Sequence, residues 1–346
     1  MNTASPIIAI QALGFPWPTL DPFLFCVYHQ DDYPPGDEAQ GVPIAALKGR
    51  ALGNDFAPKD GWRMYHGQHV PGFPRHPHRG FETVTLVRQG FVDHSDSMGA
   101  TARFGQGDVQ WMTAGRGVEH CEMFPLRQGT RPNPGELFQL WLNLPAAHKL
   151  AEPHFSMLWA HTIPRRRFVC AQGGETEVTL VAGALDGTHP PAPPPDSWAA
   201  DARSDLAIWT LRMTPNARWT LPAAPAGVHR AIYSFSEGAA VQIAGHALHQ
   251  PACVQLEAQA EVVLVNCGSS DAEFLYLQGR PIAEPVVQYG PFVMNNAAEI
   301  QQALHDYRNG LFGQWPWPSD APVHPPQQER FARHADGRQE APPTSP

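Results

Sequence analysis

The sequence predicts an all-β protein built from two similar β-domains in tandem and closed by one C-terminal helix. Three observations support this: short apolar runs recur along the chain, glycine and proline separate them, and no helical period is visible before residue 295. A parallel α/β architecture would need helical patterns between the strands, so it is excluded. With 346 residues, of which 42% are hydrophobic, the chain can form two domains with real cores.

Apolar runs of strand length appear in two series, each with glycine turns between the runs. The first series is "FETVTLV" (81–87), "GFVDHSD" (90–96), "GDVQWM" (107–112), "ELFQLWLNL" (136–144) and "EVTLVAGAL" (177–185). The second is "LAIWTLRM" (206–213), "RAIYSFSEG" (230–238), "ACVQLEA" (252–258), "AEVVLVNC" (260–267) and "AEFLYLQG" (272–279). Spacing of this kind is typical of a sandwich or a barrel.

A weak internal repeat relates the two series. The stretch 82–90 matches 230–238, because apolar residues alternate in both and each closes on a glycine. In this register two histidines of the first copy, His76 and His78, fall opposite Ala224 and Ala226. We therefore expect an N-terminal domain over 1–150 that carries chemistry, and a C-terminal domain over 151–313 that has lost it.

The end of the chain predicts one helix and then a flexible tail. Asn296 can cap a helix in which Glu299 is the third residue, and Gly310 is a plausible stop. The apolar stripe of this helix is Ile300, Leu304, Tyr307 and Leu311. The proline-rich loop at 186–205 is expected to be stiff and exposed, and the polar, proline-rich segment 314–346 is predicted to be flexible.

Composition excludes several classes of function. The net charge of −9 argues against a nucleic-acid-binding surface, which needs clustered lysine and arginine. No C-x-x-C pair occurs among the five scattered cysteines, so neither a disulfide framework nor a zinc ribbon is expected. The N-terminus lacks the features of a signal peptide, and no apolar run approaches membrane-spanning length. We expect a cytoplasmic protein that does not bind membranes.

Two polar doublets stand out against this apolar pattern. His76 and His78 are two residues apart, so on a strand both would point to one face, about 6.6 Å apart along the axis. His120 and Glu122 repeat this spacing after a glycine turn at 115–117. Adjacent strands would bring three imidazoles and one carboxylate together, which indicates a mononuclear metal site with open positions. Glu82 has the same parity as the first pair, so spacing alone does not choose between the two glutamates.

Four stretches resemble the pirin family of the cupin superfamily: "HPHRGFETVT" (76–85), "GDVQWMTAGRGVEHCEM" (107–123), "TLDPFLF" (19–25) and "EPVVQYGPFVMN" (284–295). The resemblance implies two cupin barrels, a bicupin, with one metal in the N-terminal barrel. It implies the ligands His76, His78, His120 and Glu122, and leaves Glu82 as a neighbouring or pocket residue. Cys121 stands where serine is commoner in that family, and its parity points it away from the metal.

Other residues near the two doublets are predicted to lie in the pocket wall, at the pocket rim or in solvent. One of Trp111 and Met112 is expected to line the pocket, since they fall on opposite faces of one strand. His66, His69 and His94 are interpreted as residues at the pocket rim or in solvent.

The donor set and the resemblance together predict cofactor and activity. Three imidazoles and a carboxylate suit one divalent transition metal, with iron expected first and Mn, Co, Ni, Cu or Zn as alternatives. The resemblance implies a quercetin 2,3-dioxygenase type of enzyme that uses a flavonol and O2, with Glu122 as ligand and general base. The alternative is an iron-binding, redox-responsive regulator that acts on protein partners in transcription or metabolism. We expect a monomer.

Overall fold

The computed structural model describes residues 5–343 and is dominated by antiparallel strands, which for the most part coincide with the predicted apolar runs. The first strands in chain order are β1 (Ile7–Ala12), β2 (Phe23–Tyr33), β3 (Gly72–His78), β4 (Phe81–Gln89), β5 (Phe91–Asp96), β6 (Thr101–Gly105), β7 (Val109–Thr113), β8 (Val118–Met123), β9 (Asn133–Asn143), β10 (His154–Leu158), β11 (Arg165–Val169) and β12 (Glu175–Ala182). They are followed by β13 (Ala207–Met213), β14 (Arg218–Leu221), β15 (His229–Ser234), β16 (Val241–Ile243), β17 (His246–Leu248), β18 (Ala252–Leu256), β19 (Val262–Asn266), β20 (Ala272–Gly279), β21 (Val287–Tyr289), β22 (Phe292–Met294), β23 (Phe331–Arg333) and β24 (Gln339–Glu340). The α-helix is α1 (Ala297–Arg308), and short 3₁₀ turns lie at Ile44–Leu47, Ala146–His148, Trp198–Ala200 and Ala202–Ser204.

The N-terminal β-unit consists of Tyr28–Ala160 together with the chain from Glu284 onward. It contains a five-stranded sheet, β10-β7-β4-β9-β2, and a six-stranded sheet, β24-β23-β6-β5-β8-β3. Apolar side chains from both sheets, among them Val87, Phe104 and Leu137, form one buried cluster. Alternation along the strands directs these side chains inward, as expected for two sheets that share a core.

The C-terminal β-unit consists of the chain up to Val27 together with His161–Ala283. Its seven-stranded sheet has the order β1-β18-β15-β20-β13-β12-β11, and its four-stranded sheet has the order β14-β19-β16-β17. Val178, Trp219 and Ile232 belong to the buried cluster of this unit. The prediction of an all-β chain with two β-domains and a C-terminal helix is confirmed. Within residues 5–343 no helix is long and apolar enough to cross a membrane.

The predicted boundaries at 150 and 313 differ from these two units. Strand β1 pairs with β18, so the start of the chain belongs to the C-terminal unit. Helix α1 and the following residues belong to the N-terminal unit, where Arg79 donates to Asp306 at 2.7 Å. Such pairings join residues more than two hundred positions apart, and nothing in local periodicity reports them.

The segment after Gly313, predicted to be a flexible tail, packs on the N-terminal unit as far as the structure describes it. Strand β23 pairs antiparallel with β6 and extends the six-stranded sheet. Arg103 of β6, which is fully buried, donates to the carbonyls of His324, Pro325 and Gln328. The sequence did not predict this packing, because the segment contributes backbone carbonyls and isolated apolar residues, and neither produces a hydrophobic period.

Helix α1 begins as the sequence predicts. The Asn296 side chain accepts a hydrogen bond from the Glu299 backbone N–H at 3.0 Å, which satisfies one free donor of the first turn. Ile300 and Ala303 are buried, and Leu304 and Tyr307 pack beside them. Leu311 departs from the prediction because it is 56% exposed, while the neighbouring Phe312 enters the cluster.

A proline at Ala303 is expected to lower the free energy of unfolding by about 3 kcal/mol or more, because it removes a hydrogen bond inside the helix and clashes with the preceding turn. Ala303 is fully buried, so the ring would also overfill the cluster. Urea denaturation checks this, with the exposed Gln301→Ala in the same helix as control. Equal midpoints for both variants would show that the helix contributes little to the fold.

Candidate metal centre

Three imidazoles meet where β3 pairs with β8. The antiparallel register places His76 directly opposite His120, and His78 follows two residues along. Ring centroids are separated by 4.4 Å for His76 and His120, and by 4.8 Å for each of the two other pairs. One potential ligand atom from each ring lies within 4.8 Å of the others, and this is the one such group of His, Cys, Asp and Glu in the described part of the chain.

These histidines are neutral, and their rings have unprotonated nitrogens that can act as metal ligands. Burial lowers the pKa of His76 to about 4, and it lowers the pKa values of His78 and His120 well below the ordinary value. His76 Nδ1 lies 2.8 Å from the carbonyl of Pro74, so that nitrogen carries the proton and Nε2 keeps its lone pair. Neither nitrogen of the fully buried His120 has a hydrogen-bond partner among the described residues. Unpaired buried polar atoms are costly, so the donor set fits a bound divalent transition metal.

Glu122 lies next to this group on the same face of β8 as His120. Its Oε1 accepts a hydrogen bond from Thr85 Oγ1 at 2.9 Å, and its Oε2 accepts one from Gln139 Nε2 at 3.1 Å. Burial raises the pKa of this carboxyl group. Glu122 does not belong to the three-histidine group, so its role as the fourth ligand stays a prediction.

Glu82 points to the other face of its strand. Strand β3 ends at His78, and β4 begins at Phe81 in the other sheet. The alternation of side chains in β3 therefore does not continue through Gly80 to Glu82. Thr85 reaches Glu122 from one face of β4, and Glu82, an odd number of residues away, lies on the opposite face. There its Oε1 accepts from Thr113 Oγ1 at 2.7 Å. This differs from the expectation that Glu82 lies in the pocket or beside the metal.

Of the two wall residues, Met112 is the one on the site side of β7. It pairs with Thr83, which has the same parity as Thr85, whereas Trp111 pairs with Val84 on the other face. Both side chains are fully buried. Trp141 on β9 also pairs with Thr83, and its ring lies 5.5 Å from that of His78. Sequence reasoning did not single out Trp141.

His94 was predicted to lie at the rim or in solvent, and the structure instead buries it completely. It occupies β5 between β6 and β8, directly opposite Glu122, with its ring centroid 5.4 Å from that of His120. Its Nε2 lies 3.2 Å from Asp96 Oδ2. Polar residues alternate along β5, and this pattern ordinarily indicates a strand face in contact with solvent. The sequence therefore did not indicate that His94 is buried.

Thr85 and Gln139, which bond Glu122, were not identified from the sequence either. They are directly opposite each other on β4 and β9, and their side chains are 2.8 Å apart. Only the pairing of β4 with β9 brings them together across more than fifty residues of chain. No local pattern could have found them.

The other histidines near the doublets have partners outside the centre. His66 Nδ1 lies 2.7 Å from the Gly53 carbonyl, and His69 Nε2 lies 2.6 Å from Asp37 Oδ2. Both are at least partly exposed, as predicted for rim or solvated residues.

Cys121 faces away from the histidines, in line with its parity. It packs with Val70 and Met123 beneath Val323 of the C-terminal segment. Burial raises the pKa of its thiol, which keeps it protonated and unreactive.

Comparison with known proteins finds a matching family model in each half of the chain. A family model described as Pirin matches residues 50–142, which include all four predicted ligands, and a model described as Pirin C-terminal cupin domain matches residues 208–313. The chain is 37% identical over 241 residues to a Pseudomonas aeruginosa protein named "Putative quercetin 2,3-dioxygenase", covering 70% of this chain and 79% of the relative. It is 34% identical over 260 residues to human Pirin, covering 72% and 80%.

Solved structures give the same picture of the fold. A crystal structure of quercetin 2,3-dioxygenase from Acinetobacter baumannii is 28% identical and aligns with a TM-score of 0.68, covering 90% of this chain and 99% of that one.

Proposed function

Because the chain belongs to the pirin family, we propose that its N-terminal β-unit holds one divalent transition metal and acts as a dioxygenase of the quercetin 2,3-dioxygenase type, which opens the flavonol ring with O2. The observation that carries this proposal is the convergence of three neutral imidazoles beside one buried carboxylate; His78 and His120 are buried and His76 is partly exposed. The names of the P. aeruginosa and A. baumannii relatives support the reaction type.

His76, His78 and His120 would hold the metal, with Glu122 as the fourth ligand. Imidazole nitrogen is a borderline donor, so the set suits Fe, Mn, Co, Ni, Cu or Zn better than Mg or Ca, and we propose iron. When bound, such a metal would supply Lewis-acid and redox chemistry for the reaction of a flavonol with O2. His76, Gln139 and Trp141 are the partly exposed members of this centre, so we place substrate entry on their side.

Glu122 is proposed to take the proton of the flavonol 3-hydroxyl. Glu122 is the carboxylate on the same face of β8 as His120, so it lies on the side of the strand where the hydroxyl would be held. Thr85 and Gln139 act as positioning residues, because their hydrogen bonds fix both carboxylate oxygens next to His120. Met112 and Trp141 form the apolar wall that limits water at this point.

Oxygen uptake by the iron-loaded protein across a panel of flavonols tests the proposal. We expect O2 consumption to accompany loss of flavonol absorbance, and we expect neither after chelation. If no flavonol supports uptake at full iron occupancy, the enzyme proposal fails. The protein would then be a metal-dependent regulator acting on protein partners. We place either function in the cytoplasm and in a monomer.

Replacing Glu122 with glutamine is expected to lower turnover by roughly 10²–10⁴-fold, because the shape is kept and the proton acceptor is lost. Glu82→Gln is the matched control, since Glu82 is equally buried but lies on the other face of β4. Both variants are compared with the wild type by flavonol decay at matched iron occupancy. If Glu82→Gln were the inactive one, the assignment of the base to Glu122 would be wrong.

A further inference from the structure

A cavity of about 380 Å³ opens in the N-terminal β-unit near Glu122 but outside the metal centre. Phe124 and Leu137 line this cavity. Phe124 follows Glu122 by two residues, and Leu137 precedes Gln139 by two residues. None of the predicted metal ligands lines this cavity. The volume lies within the range of small-molecule sites, roughly 300–1,000 Å³.

One part of the cavity wall is aromatic and aliphatic, and the remainder carries amide and charged side chains. Its apolar wall residues are Tyr33, Phe91, Phe124, Leu126 and Leu137. All except Phe91 are buried, and they belong to the core cluster shared by the two sheets, so the wall is rigid. A wall of this kind favours a flat apolar body in the ligand.

The two ionised groups that dominate its charge are arginines. Arg127 stacks over the ring of Phe91 at 4.7 Å, and its Nε is buried without a hydrogen-bond partner among the described residues. Arg131 is exposed and donates from Nε to Gln128 at 3.1 Å, with no ion pair to a carboxylate within residues 5–343. Arg127 does pair with Glu329, but that carboxylate is 75% exposed, so solvent weakens the pair.

The acidic and imidazole groups in the cavity do not offset these arginines. Asp31 is already bound by Arg63 at 3.1 Å and by the Tyr65 hydroxyl at 2.6 Å. His29 contacts the same hydroxyl at 2.7 Å, and burial lowers its pKa to about 3, so it is neutral. The cavity therefore combines one apolar wall with a surplus of positive charge.

We propose that this cavity is a second small-molecule site, separate from the metal centre, and that it binds a carboxylic acid with a planar aromatic body. The aromatic part lies between Phe91, Phe124 and Leu137, and the carboxylate is received by Arg131 with Arg127 behind it. Guanidinium groups match carboxylates in both charge and geometry.

Binding of cinnamate to the metal-free protein, measured by calorimetry, tests this site. Cinnamamide, which has the same shape without the charge, is the comparison ligand. We expect cinnamate to bind about tenfold more tightly than cinnamamide, and Arg131→Gln to remove about that factor, since a hydrogen bond to a charged group contributes roughly that much. Arg116→Gln is the matched control, because Arg116 is exposed, pairs with Glu152 and does not line the cavity.

Two further variants test whether the ligand occupies the cavity. Leu137→Trp should fill it and abolish binding, and Gln89→Trp, at an exposed position on the rim, should obstruct entry even if the first variant is unstable. The proposal is overturned if wild type fails to bind cinnamate, if both ligands bind equally, or if Arg131→Gln or the folded tryptophan variants bind as wild type does. Binding that appears only after iron loading would place the ligand at the metal centre and also overturn it. None of these outcomes depends on dioxygenase activity.

Discussion

Replacement of His120 by alanine is expected to abolish stable metal binding. His120 lies opposite His76 across the β3–β8 pair, and both of its ring nitrogens are buried without a partner among the described residues. Losing an outer-shell partner of a ligand typically lowers metal affinity by 10–100-fold, so loss of a ligand itself should exceed that range. The free energy of unfolding of the metal-free protein should fall much less, because an unpaired buried imidazole contributes little to it.

Elemental analysis after dialysis against a weak chelator measures this effect. Wild type should retain about one equivalent of metal per chain, and His120→Ala should retain almost none. His66→Ala is the control, because His66 is exposed, is held by the Gly53 carbonyl and does not belong to the three-histidine group. Two equivalents in wild type, or an unchanged content in His120→Ala, would contradict a single centre in the N-terminal β-unit.

Removal of residues 320–346 is expected to lower the free energy of unfolding by about 3 kcal/mol or more. Hydrogen bonds to charged groups contribute roughly 1.5–3 kcal/mol each when buried, and the truncation takes three carbonyl acceptors from Arg103. The remaining partners of Arg103 are Asp93 and Gln40, and water would reach the guanidinium, so the sum of three full bonds is an upper bound. Strand β23 and its pairing with β6 are lost as well.

Urea denaturation of the truncated protein checks this result. A shorter truncation that removes 341–346 is one control, since it ends after β24. Glu329→Ala is the other, because it removes only the exposed pair with Arg127 and should cost less than about 1 kcal/mol. If deletion of 320–346 shifts the midpoint no more than these controls do, the segment does not stabilise the fold, as the sequence had predicted.

Much of the fold was predictable because strands leave a local record. The runs at 81–87 and 272–279 became β4 and β20 almost residue for residue, since alternation and bordering glycines are properties of neighbouring positions. The start of the helix was equally local, because the Asn296 cap acts on the Glu299 N–H three residues away. The end of the apolar stripe of this helix was not predictable locally. Phe312 is buried in place of Leu311, and this depends on what the helix packs against.

By itself the sequence determined the β architecture and which side chains of a single strand share a face. His76 and His78, like His120 and Glu122, are paired by the two-residue period of a strand, which no packing changes. The tertiary structure alone decided which faces meet. It turned Glu82 away and buried His94 opposite Glu122. It also supplied Thr85 and Gln139 from a third and a fourth strand, and it joined the C-terminal segment to Arg103. The physical reason is that strand pairing is set by the total burial and hydrogen bonding of distant segments, whereas periodicity records only the chain's own neighbours.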